Sequence, residues 1–266
     1  MEAFMTKRAL KRMAREGADT GHFSDDAKVR RLPVDHRERG NAWSPLGPDG
    51  APRNQERDQS YLKTIKPKSP GQDELMKAID AKNLVMALGP AGTGKTYIAI
   101  AKAVEALEAG TVARIVLSRP AVEAGESIGY LPGDMEDKLA PYLRPLYDAL
   151  TDRLSTRRMR ALMAEGAIEI APVGFMRGRT LNNAFVVIDE AQNCTYMQLK
   201  MLLTRLGWHS TMVVTGDPNQ SDLLPGISGL ADVAARFEAV ENIGVVRLAD
   251  RDIVRHPLVA EMLGVL

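Results

Sequence analysis

Three short strings in this chain carry residue types and spacings that suit phosphate chemistry. The first is Gly89-Pro90-Ala91-Gly92-Thr93-Gly94-Lys95-Thr96, which satisfies G-x-x-x-x-G-K-[ST]. Its glycines let backbone N–H groups turn inward around phosphate oxygens, and a helix starting at its end adds a positive dipole terminus. Lys95 is expected to reach the β- and γ-phosphates of a nucleoside triphosphate, and Thr96 to offer its hydroxyl to Mg²⁺. Tyr97 follows directly and is grouped with the nucleotide-binding residues. The second string is Asp189-Glu190-Ala191-Gln192. A carboxylate at the tip of a buried strand is costly unless it serves an ion, so Asp189 is expected to hold Mg²⁺ through water. Glu190, its neighbour, is expected to orient and polarise the water of a hydrolysis. The third string is Gly216-Asp217-Pro218-Asn219-Gln220, in which Gln220 is expected to sense the γ-phosphate. Asp217 and Asn219 serve a turn equally well. Upstream, Gln72 stands in a short helix opening at 69–74, and its amide offers the donor and acceptor that suit an adenine edge. No Asn-Lys-x-Asp string occurs, so ATP rather than GTP is the expected nucleotide.

These strings need elements that place them side by side. Apolar runs fall at 83–88, 113–118, 167–171, 184–188, 211–215 and 243–248, each rich in Val, Ile and Leu on successive residues. That texture predicts strands covered on both faces. Helical patterns lie between them at 96–108, 196–206 and 228–237. Strands alternating with helices predict a mainly parallel α/β sheet, with ligands beyond the carboxyl ends of its strands. Each chemical string begins where one of these runs stops.

Composition bounds the rest. The 266 residues are 45% hydrophobic and 26% charged with a formal net charge of +1, so bulk charge names no partner. A nucleic acid would have to be held by a local basic surface. Residues 3–16 suit a short basic helix bearing Lys7, Arg8, Lys11, Arg12 and Arg15, and 35–60 is polar and nearly free of aliphatic side chains. Residues 1–60 are therefore expected to be a flexible arm and linker, and 61–266 the nucleotide domain. The single cysteine, Cys194, forms no intrachain disulfide and reads as a packing residue. His256 has no second ligand at metal spacing. No apolar run approaches the roughly 20 residues of a membrane span, and residues 1–8 lack a secretory pattern, so a cytoplasmic protein is expected.

The motifs from about Lys66 onward together resemble the PhoH family of ATPases, relatives of superfamily 1 helicases. The most specific stretch runs from Ser118-Arg119-Pro120 through Gly125-Glu126 to Gly129-Tyr130-Leu131-Pro132-Gly133-Asp134 and on to Leu150. Composition alone reads it as a long loop followed by a helical excursion. Gly174-Phe175-Met176-Arg177-Gly178-Arg179-Thr180, residues 215–220 and Asp252-Ile253-Val254-Arg255-His256 are also family-like. The resemblance implies a single RecA-like core, a hexameric homo-oligomeric ring, and action on RNA or single-stranded nucleic acid. It also strengthens Gln72 as an adenine contact. The ribonuclease module of two-domain relatives is not expected, because no acidic nuclease cluster precedes the loop. One core supplies only one side of the nucleotide, so an arginine from a neighbouring subunit or a local loop is needed, with Arg255, then Arg179 or Arg177, as candidates. A nucleotide-gated assembly without motor activity and a P-loop kinase are the competing readings. The Asp189-Glu190 pair argues against the kinase.

Overall fold

Six strands, β1 (Leu84–Leu88), β2 (Arg114–Arg119), β3 (Ile168–Pro172), β4 (Ala184–Ile188), β5 (Thr211–Gly216) and β6 (Ile243–Arg247), form one parallel sheet in the order β3-β2-β4-β5-β1-β6. The computed structural model describes residues 64–120 and 135–254. Strand residues alternate between two buried faces, which is why successive positions are all apolar. Val85, Ala87, Ile115, Leu117, Phe185, Val187 and Val213 face one core, and Met86, Leu88, Val116, Val186, Ile188 and Val214 the other.

The first face is covered by α1 (Pro70–Ala81), α2 (Lys95–Glu108), α3 (Met135–Thr151) and α4 (Thr156–Ala164). The second is covered by α5 (Tyr196–Leu203) and α6 (Leu230–Phe237). Local chemistry fixes the helix starts. Ser69 accepts from the Gln72 N–H with Pro70 in the first turn, and Thr195 and Gln198 cap each other reciprocally at α5. At α2 the cap is Gly94, which has φ 83° and no side chain to accept from the N–H groups of the first turn, the kind of helix start that suits an anion.

The strands match the apolar runs to within a residue or two. α5 stops at Leu203 rather than 206, where the Thr204 hydroxyl bonds back to the Lys200 and Met201 carbonyls. α6 starts at Leu230 rather than 228, because Ser228 pairs with Thr195 in an antiparallel bridge. α4 has no counterpart in the sequence reading. Only Met159 and Leu162 of its nine residues are buried, too few for a clear helical period. α3 is the helical excursion of the family-like stretch, and it anchors through Leu143, Leu146 and Leu150.

The strand order has a direct consequence. The chain runs outward from β1 to β2 and β3, then returns to insert β4 and β5 between β2 and β1. The carboxyl ends of β1, β5 and β4 are thereby adjacent, although they fall at Leu88, Gly216 and Ile188 in the chain. The arm expected over residues 1–60 lies outside the described residues, as do Arg255 and His256.

Candidate nucleotide-binding site

The loop after β1 is fastened on every side by backbone. Gly89 N–H donates to Gly216 O at the end of β5, Leu248 N–H to Leu88 O, and Val254 N–H to Gly92 O, at 3.1, 2.7 and 2.9 Å. Gly89 has φ 141°, and a Cβ there would collide with the Leu248 carbonyl, so glycine is required twice over. The Lys95 ammonium donates to the carbonyls of Gly89 at 2.6 Å and Pro90 at 2.8 Å, so its charge lies inside the curve of the loop. Thr93 closes the loop by donating to Pro90 O. Ala91, Gly92, Gly94 and Tyr97 line the same cleft, a cavity of about 290 Å³. A larger groove of about 640 Å³, beside Trp208 and His209, carries none of this chemistry and lies towards the amino-terminal ends of the strands.

Opposite the loop stand the two acids. Asp189 is 2% exposed, and its Oδ1 accepts from the hydroxyls of Thr96 at 2.6 Å and Thr215 at 2.7 Å. Such hard oxygen donors are the set that Mg²⁺ takes. Among the described residues no group of three or more His, Cys, Asp or Glu side chains is placed to hold a metal ion. Glu190 has φ 52°, a left-handed conformation that costs a non-glycine residue about 1–3 kcal/mol. Its side chain is held at both oxygens: Gln192 donates to Oε2 at 2.5 Å, and Arg119 reaches Oε1 at 3.5 Å. Gln192 in turn accepts from Asp217 N–H at 3.1 Å, which ties the loop after β4 to the loop after β5. Asp217 accepts from Asn219 N–H, as a turn residue does, and Gln220 is exposed in the same cleft.

Thus Lys95, Thr96, Tyr97, Asp189, Glu190 and Gln220 converge on one cleft. Gln72 is placed differently. It is 6% exposed, and its amide is occupied by the protein: Nε2 donates to Thr93 O at 2.9 Å and Oε1 accepts from Lys68 N–H at 2.9 Å. It supports the loop from behind, each end of its amide already making one bond to backbone. Arg179 makes a two-pronged pair with Glu169, at 2.5 and 2.6 Å, on β3, an edge strand separated from β1 by three others. That hydrogen bonding holds the Glu169 carboxyl below its ordinary range. Arg177 is exposed. Burial pushes the Cys194 thiol up to about 12, which leaves it an inert packing group.

Three residues at the site carry no role in the sequence reading: Arg119, Thr215 and Gln192. Arg119 was legible in principle, since it closes β2 just where residues beyond a buried strand face the ligand. Thr215 and Gln192 gave no comparable signal, because hydroxyls and amides are common at strand ends and turns.

A parallel sheet, a glycine loop between β1 and α2, and an acidic pair at the tip of β4 define an α/β P-loop protein with a RecA-like core. Residues 64–266 match the family described as PhoH-like protein, and the chain belongs to that family. It is 53% identical over 202 residues to a PhoH-like protein of Bacillus subtilis, covering 76% of this chain and 63% of that one. A PhoH-like protein of Mycobacterium tuberculosis H37Rv is 54% identical over 201 residues, covering 75% and 57%. Protein PhoH of Escherichia coli K12 is 47% identical over 205 residues, covering 76% and 58%. The chain therefore aligns with less than two thirds of the length of these relatives. Among the described residues no helix is long and apolar enough to cross a membrane.

Proposed function

We propose that the protein binds ATP with Mg²⁺ and hydrolyses it to ADP and phosphate. The observation that carries this reading is the 2.6 Å contact between Thr96 of the glycine loop and Asp189 at the tip of β4, with Glu190 beside it. The loop N–H groups and Lys95 would hold the β- and γ-phosphates. Thr96 and Asp189 would hold Mg²⁺, which when bound draws charge from the phosphate oxygens. Glu190 would take the proton of a water that attacks the γ-phosphorus as the bond to the bridging oxygen breaks. Gln220 would report which nucleotide is present. Residues 61–266 act as the nucleotide domain, with 1–60 as an appended arm.

Developing charge on the γ-phosphate needs a further cation from outside this core. A head-to-tail ring, hexameric by family resemblance, supplies one across each interface. Arg255 is the leading donor, since Arg179 would first have to leave Glu169. The polymer we favour is RNA or single-stranded nucleic acid, contacted through exposed basic side chains such as Arg177.

Phosphate release should occur without any acceptor, which separates hydrolysis from phosphotransfer. Lys95→Ala should weaken ATP binding and abolish turnover while leaving the fold intact. Glu190→Gln should retain Mg²⁺·ATP while turnover falls by about 10²–10⁴-fold, the range for a lost general base. Normal ATP affinity in Lys95→Ala would remove the assignment. Turnover that ignores RNA and single-stranded DNA across a salt series would favour a nucleotide-gated assembly instead.

A further inference from the structure

Arg119 closes β2, and its guanidinium spans both acids of the site. Nη1 lies 3.4 Å from Asp189 Oδ2, and Nη2 lies 3.5 Å from Glu190 Oε1. Both are at the long limit for a hydrogen bond, whereas Thr96, Thr215 and Gln192 approach the same two carboxylates at 2.6, 2.7 and 2.5 Å. Elsewhere this chain shows what a fastened arginine looks like. Arg179 grips both oxygens of a single carboxylate, Glu169, at 2.5 and 2.6 Å. Arg119 instead gives one nitrogen to each of two acids, at long range to both. Its root is rigid, because Asp189 N–H donates to Ser118 O at 2.8 Å and Ser118 stands opposite Ile188 in the sheet. Only the head of the side chain is free to exchange partners.

We propose that Arg119 is a positioning residue that acts as a built-in counter-cation: it competes with the divalent ion for Asp189 and holds Glu190 in its left-handed pose. Asp189 Oδ1 is filled by two hydroxyls, and Oδ2 faces Arg119, so Oδ2 is the oxygen for which two cations contend. When Mg²⁺·ATP arrives, the guanidinium gives up Asp189 and stays on Glu190. The identity of the incoming cation and nucleotide rests on the function proposed above. The competition itself does not.

The signature is a gain, which a merely structural ion pair would not give. Removing Arg119 leaves two adjacent acids without their counter-charge, so the site should take up a divalent cation more readily in the absence of nucleotide. Mn²⁺ alone, followed by its paramagnetic resonance signal, is the probe. Arg119→Ala should bind Mn²⁺ about ten-fold more tightly than the parent, an effect that shrinks as added salt screens the charges. Arg119→Lys keeps the charge but cannot bridge both acids, so its Mn²⁺ affinity should stay within about two-fold of the parent. ATP turnover should fall by about 10²-fold in Arg119→Ala, the cost of one misplaced polar group at such a centre. Adding Asp189→Asn should erase the Mn²⁺ gain. Unchanged or weaker Mn²⁺ binding in Arg119→Ala would overturn the proposal. If that variant fails to fold, Arg119→Gln, closer in shape, is read by the same criterion. A parent protein that hydrolyses no ATP would sink the proposed function, while the Mn²⁺ comparison would still decide the role of Arg119.

Discussion

Gln72 shows how far a residue's chemistry can be read without its surroundings. A glutamine ahead of the first strand suits an adenine edge, but here both ends of its amide are bonded to backbone, to Thr93 O and Lys68 N–H. A Cβ on Gly94 would stand 3.1 Å from Gln72 Nε2, so the amide also braces the residue that caps α2. Gln72→Ala should therefore weaken ATP and GTP by the same factor, through a loosened loop, and cost about 1–3 kcal/mol of stability for the carbonyl left unsatisfied. Parallel titrations with the two nucleotides check this. A change in the ATP-to-GTP preference would instead return Gln72 to base recognition. Glu190 makes a related point. It bears the strain of a left-handed backbone where glycine or asparagine would rest more easily, and Gln192 and Arg119 offset that strain by fixing its carboxylate.

At the scale of elements, the loop is held in place by a strap that joins the two ends of the domain. Asp252, in the short 3₁₀ turn Asp250–Asp252 after β6, is 1% exposed. Its Oδ1 accepts from Gly71 N–H at the start of α1, and its Oδ2 from Ala249 N–H. Gly71 must be glycine, because a Cβ would sit 2.5 Å from Asp252 Oδ2. The Ala249 N–H first, with the Ser69 hydroxyl and Gly71 N–H, holds the Asp252 carboxyl below its ordinary value of 3.8. A depressed folded-state value means that the stabilisation is complete above the unfolded value and disappears as pH falls through the folded one. Asp252→Asn should thus be less stable than the parent near neutrality. The gap should begin to narrow as pH falls below about 4 and close only below the depressed folded-state value, where the parent's carboxylate is also protonated. Urea midpoints for the two proteins at several pH values test this. A gap that does not depend on pH would mean that the carboxylate's charge contributes nothing. The same strap positions Val254, whose N–H bonds Gly92 O, so its loss should also weaken nucleotide binding.

For the whole molecule, one RecA-like core brings the loop, Asp189, Glu190 and Gln220 to one cleft, and on the proposed function these serve the nucleotide from a single side. Activity per chain should then rise with protein concentration as subunits complete one another's sites. Arg255→Ala and Lys95→Ala chains should each be inactive alone and recover part of the activity when mixed. Some interfaces then pair an intact loop with an intact arginine, a group worth about 10³–10⁵ in rate in related phosphoryl-transfer enzymes. Rings shown to be mixed but still inactive would place the arginine in the same chain as the loop it serves.

The six strands and the three strings at their ends were legible in the sequence alone. Backbone burial imposes a run of apolar residues, and phosphate binding imposes glycines at fixed spacing. Lys95, Thr96, Asp189 and Glu190 could be named for that reason. What sequence could not supply was which strand lies beside which. Inserting β4 and β5 between β2 and β1 brings Thr215 and Arg119 to the acids of β4, from positions 26 and 70 residues away. The same packing closes Gln72 against Thr93 and directs Arg179 to Glu169. A donor or an arginine has no fixed partner until the fold presents one, because hydrogen bonds and charge pairs depend on distances of a few ångströms that only tertiary packing sets.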